Sequence, residues 1–313
     1  MLRGDRAPQR HAQTAMHAAI EAWRAEEGVA AMLADFRRFG EGAALEACPA
    51  LEAIFTRADT AEALAASLTG HFCRAIAANP LGHPPFRNAF NEGSSTMLLG
   101  KAGRAQLVLQ AREPGAYTDS AVTFADLLRY DAVLAGRSQA RIVRIHGPDD
   151  QVGMSEEPIV LQRGVRLGFD CNRETLMTEV VETRLVTLRL LQSAEHPMPS
   201  REYSRQTGRL LHQAAGSLAS SRREMMAALL GRMGRVEAAP ALADMALAEH
   251  EQSLRWQALR ECLALDAATG FAALCAIARN PADPLGHPAG ALRSQLLETY
   301  PELASLEDDR CPA

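Results

Sequence analysis

The sequence predicts an α+β protein: an N-terminal helical segment, a middle antiparallel β-barrel, and a C-terminal α-helical array. Three observations lead to this. Residues 96–192 carry short runs of alternating apolar and polar residues broken by turn residues. Both flanks instead space their apolar residues three and four apart. No helical pattern separates the strands of the middle, which excludes a doubly wound sheet. The expected domains are 1–79, 80–219 and 220–313.

The N-terminal part reads as helices. Residues 12–27 carry Ala15, Ala19, Ile20 and Trp23 at helical spacing, and Gly28 is the expected stop. Residues 29–39 follow, with Met32, Leu33, Phe36 and Phe39 on one side and Gly40 at the end. A short helix covers 51–55. Asp59 and Thr60 are expected to cap a helix to about Ala78, whose apolar face is Ala61, Leu64, Leu68, Phe72 and Ile76. Asn79-Pro80-Leu81-Gly82-His83-Pro84-Pro85 then forces an extended path. A near copy, Asp283-Pro284-Leu285-Gly286-His287-Pro288, lies near the other end. Two readings stand: paired loops that present His83 and His287 to one site, or a turn used twice.

In the middle, Ala105, Leu107 and Leu109 alternate with Gln106 and Gln110. Ser94-Ser95-Thr96 reads as a turn. Further strands are expected at 122–124, 130–134, 140–145, 158–162, 165–169, 175–183 and 185–191, with a hairpin-like connection at Ala135-Gly136-Arg137-Ser138. Such spacing fits a jelly roll or small barrel. Beyond Pro197 and Pro199, Gln206-Thr207-Gly208 centres a hairpin.

The order of these strands resembles a cupin: early hairpins, a strand-Gly-strand element at 161–169 around Gly164, and a last strand rich in Val and Leu. Metal-binding cupins carry His-x-His with a downstream Glu, and a second His after the Pro-x-Gly turn. Here the only histidine of 96–192 is His146, and Cys171 and Asn172 follow the glycine turn. A first-row metal needs three or four converging ligands. The resemblance therefore implies a metal-free domain with no cofactor, and a homodimer formed through its sheets. The arginines offer other chemistry. If Arg144, Arg166 and Arg184 share an interior, they bind a small anionic ligand by bidentate hydrogen bonds. If they lie outside, they are solvated partners of nearby glutamates.

From Ser220 the pattern is helical again. Met225, Met226, Leu229, Leu230 and Met233 form one face, read as core or as an adaptable groove. Further helices follow near Pro240, at 254–265, at 267–278 and from Leu292. Leu254-Arg255-Trp256-Gln257-Ala258-Leu259, then Ala264-Leu265-Asp266, is similar to the second helix and turn of a HEAT repeat. That resemblance implies a surface for another protein or peptide.

Composition narrows the function. The net charge of −5 and pI near 6.0 leave no cation excess for a nucleic-acid partner. No apolar run reaches a membrane-spanning length, and no secretory signal pattern opens the chain. Six cysteines without a CxxC pair are expected to be reduced thiols in a cytoplasmic protein. A single lysine, Lys101, among many arginines points to a GC-rich bacterial genome. Nucleotide-binding, nucleophile-elbow and zincin motifs are absent. The expectation is a non-catalytic binding or regulatory protein. The alternatives are an enzyme or sensor that binds a small anion in the barrel interior, and a metalloprotein using His83, His146 or His287.

Overall fold

The computed structural model describes residues 6–249 and 251–308. They form two units, Met1–Pro197 with Arg201–His212, and Met198–Ser200 with Gln213–Ala313.

The first unit opens with four helices: α1 (Ala7–Arg24), α2 (Glu27–Gly40), α3 (Pro49–Thr56) and α4 (Thr60–Ala78). Gly28 does not stop α1. The break falls at Ala25 and Glu26, and Gly28 sits in the first turn of α2. Asp59 takes a left-handed φ of 65° and makes no capping bond with its side chain. Thr60 ties the start of α4 down instead, donating to Ala53 O at 2.6 Å and Arg57 O at 3.0 Å. The α4 face is buried at Ala61, Leu64, Leu68 and Phe72, while Ile76 is exposed.

The strands are β1 (Arg87–Asn91), β2 (Ser94–Ala102), β3 (Ala105–Arg112), β4 (Gly115–Ala116), β5 (Ala121–Phe124), β6 (Leu127–His146), β7 (Gly153–Gln162), β8 (Arg166–Asp170), β9 (Glu174–Ser193), β10 (Ser200–Ser204) and β11 (Leu210–Ala214). One sheet runs β1-β2-β3-β9-β6-β7, with β4 on β9 and β8 on β6; a second runs β11-β10-β5. The antiparallel middle region is therefore present, and so is the hairpin around Gln206-Thr207-Gly208. The larger sheet ends on β1 and β7 and does not close into a barrel.

Three corrections concern the long strands. Ala135-Gly136-Arg137-Ser138 does not reverse the chain; it is a run of register shifts inside one 20-residue strand, β6. The runs at 175–183 and 185–191 are likewise one strand, β9. Nor do 158–162 and 165–169 form a hairpin: β7 and β8 both lie antiparallel along β6, interrupted at 163–165. Glycine reads as a turn in sequence, but an irregularity between paired strands produces a local bend and stronger twist. Gly136 has φ +89°, and a Cβ there would meet the Arg184 carbonyl oxygen at 2.2 Å. At that level β6 and β9 touch too closely for any side chain. Ser94-Ser95-Thr96 is not a turn either; β2 starts at Ser94, and the β1–β2 turn is at Glu92 and Gly93.

Strand side chains alternate between faces. One face of the larger sheet carries Leu107, Ala132, Leu188 and Leu190, which pack with Trp23, Phe36, Phe39, Leu51 and Phe72 of the helices. The other face carries the polar residues described below.

The second unit is helical: α5 (Leu218–Arg232), α6 (Ala239–Leu247), α7 (Gln252–Leu265), α8 (Ala267–Ala278), α9 (Gly286–Thr299) and a short α10 (Ser305–Asp308). Its core holds Ala227, Leu242, Leu259, Phe271, Leu274 and Ile277. Asp266 caps α8, accepting from Ala268 N at 3.0 Å and from the Thr269 hydroxyl at 2.8 Å. α9 starts six residues before Leu292, with Pro288 in its first turn, where a missing N–H costs nothing.

Candidate functional site

The three sequence-predicted arginines do not come together. Arg144, exposed on β6, donates to Glu174 at 3.0 Å and Glu157 at 2.8 Å. Arg184, also exposed, pairs with Glu113 at 3.0 Å. Arg166 is more buried, and reaches Glu62 of α4 at 2.7 Å. Each guanidinium already has a glutamate, and none lines the interior cavity of the sheet. Arg141, three residues from Arg144, faces a different set of carboxylates, Glu179 at 2.7 Å and Glu156 at 3.6 Å.

That cavity is built from other arginines. On β6, Arg129, Asp131 and Val133 share a face because they are two apart. Asp131 lies opposite Arg189 of β9 and opposite Leu167 of β8. Gln110 of β3 lies opposite Thr187, and Arg112 opposite Leu185. The bend in the long strands brings Leu161, Leu176 and Thr178 into the same cavity. The space between them is partly open and about 10 Å³, the room of a single water-sized group.

Asp131 is 1% exposed. Arg189 grips it with Nε to Oδ1 at 2.8 Å and Nη2 to Oδ2 at 3.1 Å, and Arg129 Nε reaches Oδ2 at 3.0 Å. Burial pushes the Asp131 carboxyl up, but the charges of Arg129 and Arg189, and then their hydrogen bonds, outweigh it and hold it far below the usual carboxylate range. Arg129 also lies 5.5 Å from the Phe169 ring centroid. Arg112 has no ion-pair partner among the described residues. Its guanidinium stands 5.4 Å from the Tyr117 ring centroid. Burial, then the like charges of Arg189 and Arg129, hold its pKa below the ordinary arginine value.

The sequence reads 112–115 as a turn and gives Arg129 no role, whereas Arg112 is the last residue of β3. The available signal was charge at alternate positions of strands whose other face is wholly apolar.

The donor set does not fit a metal. Among the described residues no three of His, Cys, Asp and Glu gather. His146 is exposed at the end of β6, and His83 and His287 are exposed in different units. Cys48, Cys73, Cys171 and Cys262 are free thiols; Cys311 lies outside the described residues. Among the described residues no helix is long and apolar enough to cross a membrane.

The second unit holds a different feature. The methionine face of α5 is not core: Leu218, Met225, Met226, Leu229 and Met233 are each more than half exposed. Only Ser220 and Ala227 of this helix are buried. At 100° per residue Arg222 falls inside the exposed stripe, with Arg223 and Arg232 at its two edges. None of these three arginines has an ion-pair partner among the described residues.

No protein-family model matches the chain, and no curated protein matches it. Solved structures similar to it are cupin-fold proteins. The Momordica charantia 7S globulin is 14% identical, with a TM-score of 0.28 over 38% of this chain and 35% of that one. The Drosophila melanogaster CENP-C cupin domain is 13% identical, with a TM-score of 0.28 over 35% and 77%. A cupin superfamily protein of Desulfitobacterium hafniense is 16% identical, with a TM-score of 0.25 over 34% and 83%. The chain spans about a third of the length of the globulin and of Capsicum annuum vicilin. A TM-score below 0.3 over about a third of the chain is a local likeness, and the fold rests on its own strand pairings.

Proposed function

We propose that this is a non-catalytic binding or regulatory protein, whose helical unit, a HEAT-like array, docks another protein. One observation carries the reading. The face of α5 that periodicity assigns to a core is an exposed stripe of Leu218, Met225, Met226, Leu229 and Met233. Exposed apolar surface of this kind marks interaction sites, and flexible methionines adapt to varied partners. Arg222, Arg223 and Arg232 select the partner's charge: an amphipathic helix with acidic residues beside its apolar face.

The test compares the full chain with a Met225→Glu, Leu229→Glu double variant. A protein captured by the wild type is identified, purified and titrated against both. A loss of about tenfold or more in affinity, from an acidic helical partner, is expected. Equal binding by the variant overturns the reading, as does sedimentation showing that α5 is covered by a second copy of this chain.

A second reading, a sensor for a small anion, is supported by a separate observation: the interior cavity is lined by three arginines and one aspartate.

A further inference from the structure

We infer that the cavity between β3, β6 and β9 is a site for a compact monovalent anion, a halide or a single carboxylate group, held by Arg112. The inference rests on the sensor reading and names its ligand class and its ligating residue.

Charge carries the argument first. Arg112, Arg129 and Arg189 share the cavity with a single carboxylate, Asp131. Asp131 spends both oxygens on Arg129 and Arg189. Arg112 is left with an aromatic ring on one side and two like charges near it. The exposed Asp119 acts on it only at a distance, with no ion pair between them. A guanidinium partly withdrawn from water gains from a counter-charge in contact with it, and among the described residues no carboxylate comes within ion-pair distance of Arg112. The missing charge is negative, and five N–H donors in a fixed fork stand ready for it.

The frame around Arg112 is built for recognition. Asp131 fixes Arg129 along β6 and Arg189 across to β9, so their positions are set before any ligand arrives. Gln110 and Thr187, cross-strand neighbours on the same face, add side-chain donors to the lining. Leu161, Leu167, Leu176 and Leu185 line the remaining side, and an apolar wall strengthens charge interactions beside it.

Size sets the class. About 10 Å³ admits one water-sized group. Chloride and the head of a formate-like carboxylate are the anions nearest that scale; a phosphate, with four oxygens around phosphorus, is further from it.

The test uses the full chain, prepared in methanesulfonate, which carries no carboxylate. Thermal unfolding is followed while chloride, formate or phosphate replaces methanesulfonate at constant ionic strength. ³⁵Cl line broadening reads chloride directly. Wild type, Arg112→Gln and Arg112→Lys are compared. The expected result is a saturable rise in melting temperature with chloride, formate or both, and none with phosphate. Whichever of the two acts identifies the source as halide or carboxylate. Arg112→Gln is expected to bind about tenfold or more weakly, since a charge-assisted bond is lost, with Arg112→Lys between. In methanesulfonate alone, Arg112→Gln is expected to melt no lower than wild type, because it removes an uncompensated cation. An unchanged response in Arg112→Gln overturns the assignment to Arg112 and leaves the small-anion reading standing. Phosphate binding as tightly as formate overturns the size class. No response of the wild type to any anion overturns both inference and reading.

Discussion

Asp131 and Arg189 stand directly opposite each other on β6 and β9, and are joined by two hydrogen bonds of 2.8 and 3.1 Å. They are 58 residues apart in sequence. The pair lies on the interior face of the larger sheet, where the rest of the polar cluster is assembled around it.

Asp131→Asn is expected to destabilise the protein by about 3–5 kcal/mol, because two largely buried guanidiniums lose their counter-charge. Urea unfolding followed by far-UV circular dichroism measures it. A loss below about 1 kcal/mol would show that water screens the cluster.

Acid should reveal the same carboxylate. Its folded-state pKa lies below the unfolded value of about 3.9, so its contribution is fully present above that pH. The contribution is lost only as pH falls from about 4 towards the lower folded value. Melting temperature recorded from pH 7 to pH 3 should therefore drop more steeply below pH 4 in the wild type than in Asp131→Asn. Parallel curves would remove Asp131 as a source of acid sensitivity.

Two glycines with nearly the same φ should respond differently to alanine. Gly164, at φ +92°, has open space around the missing Cβ, so Gly164→Ala costs only backbone strain, about 1 kcal/mol. Gly136, at φ +89°, faces the Arg184 carbonyl, so Gly136→Ala adds a collision and should cost about 3 kcal/mol or more. Chemical denaturation of both variants checks the difference. Equal losses would mean that the strands can part at the bend.

The stripe on α5 should be dispensable for folding. Met225→Ser and Leu229→Ser are expected to change stability by no more than about 0.5 kcal/mol, as exposed positions do. Leu259→Ala, at a fully buried position of α7, should cost about 2–5 kcal/mol. Thermal melts of the three variants suffice. Comparable losses would place the stripe in a core.

Much of the fold was legible because periodicity is local. The α2 face of Met32, Phe36 and Phe39, and the alternation of β3, follow from residues within one or two turns of each other. The long strands were not legible, because Gly136 marks a bend and a hairpin with the same residue, and only the partner strand decides which. The β1–β2 hairpin was missed because Asn, Phe and Ser give little strand signal on an exposed edge. α5 misled for another reason: a helix face shows that something covers it, and sequence does not say whether the cover belongs to the same chain. The arginines of the candidate site were the hardest to find. Arg112, Arg129 and Arg189 become neighbours only through the register of β3, β6 and β9.

The bend at Gly136 also concerns length. A straight strand of 20 residues would run about 66 Å. A compact unit of this size is roughly 40 Å across, so β6 and β9 cannot lie in it unbent. Folding the ribbon back gives one pair of strands two walls. The enclosure stays incomplete until β9, the last strand of the larger sheet, pairs with β3 and β6. A nascent chain that ends at Arg163 would carry α1–α4 and β1–β7 but none of β9's share of the cavity lining. Completing the charged interior thus depends on non-local pairing, the kind that slows the folding of a β topology.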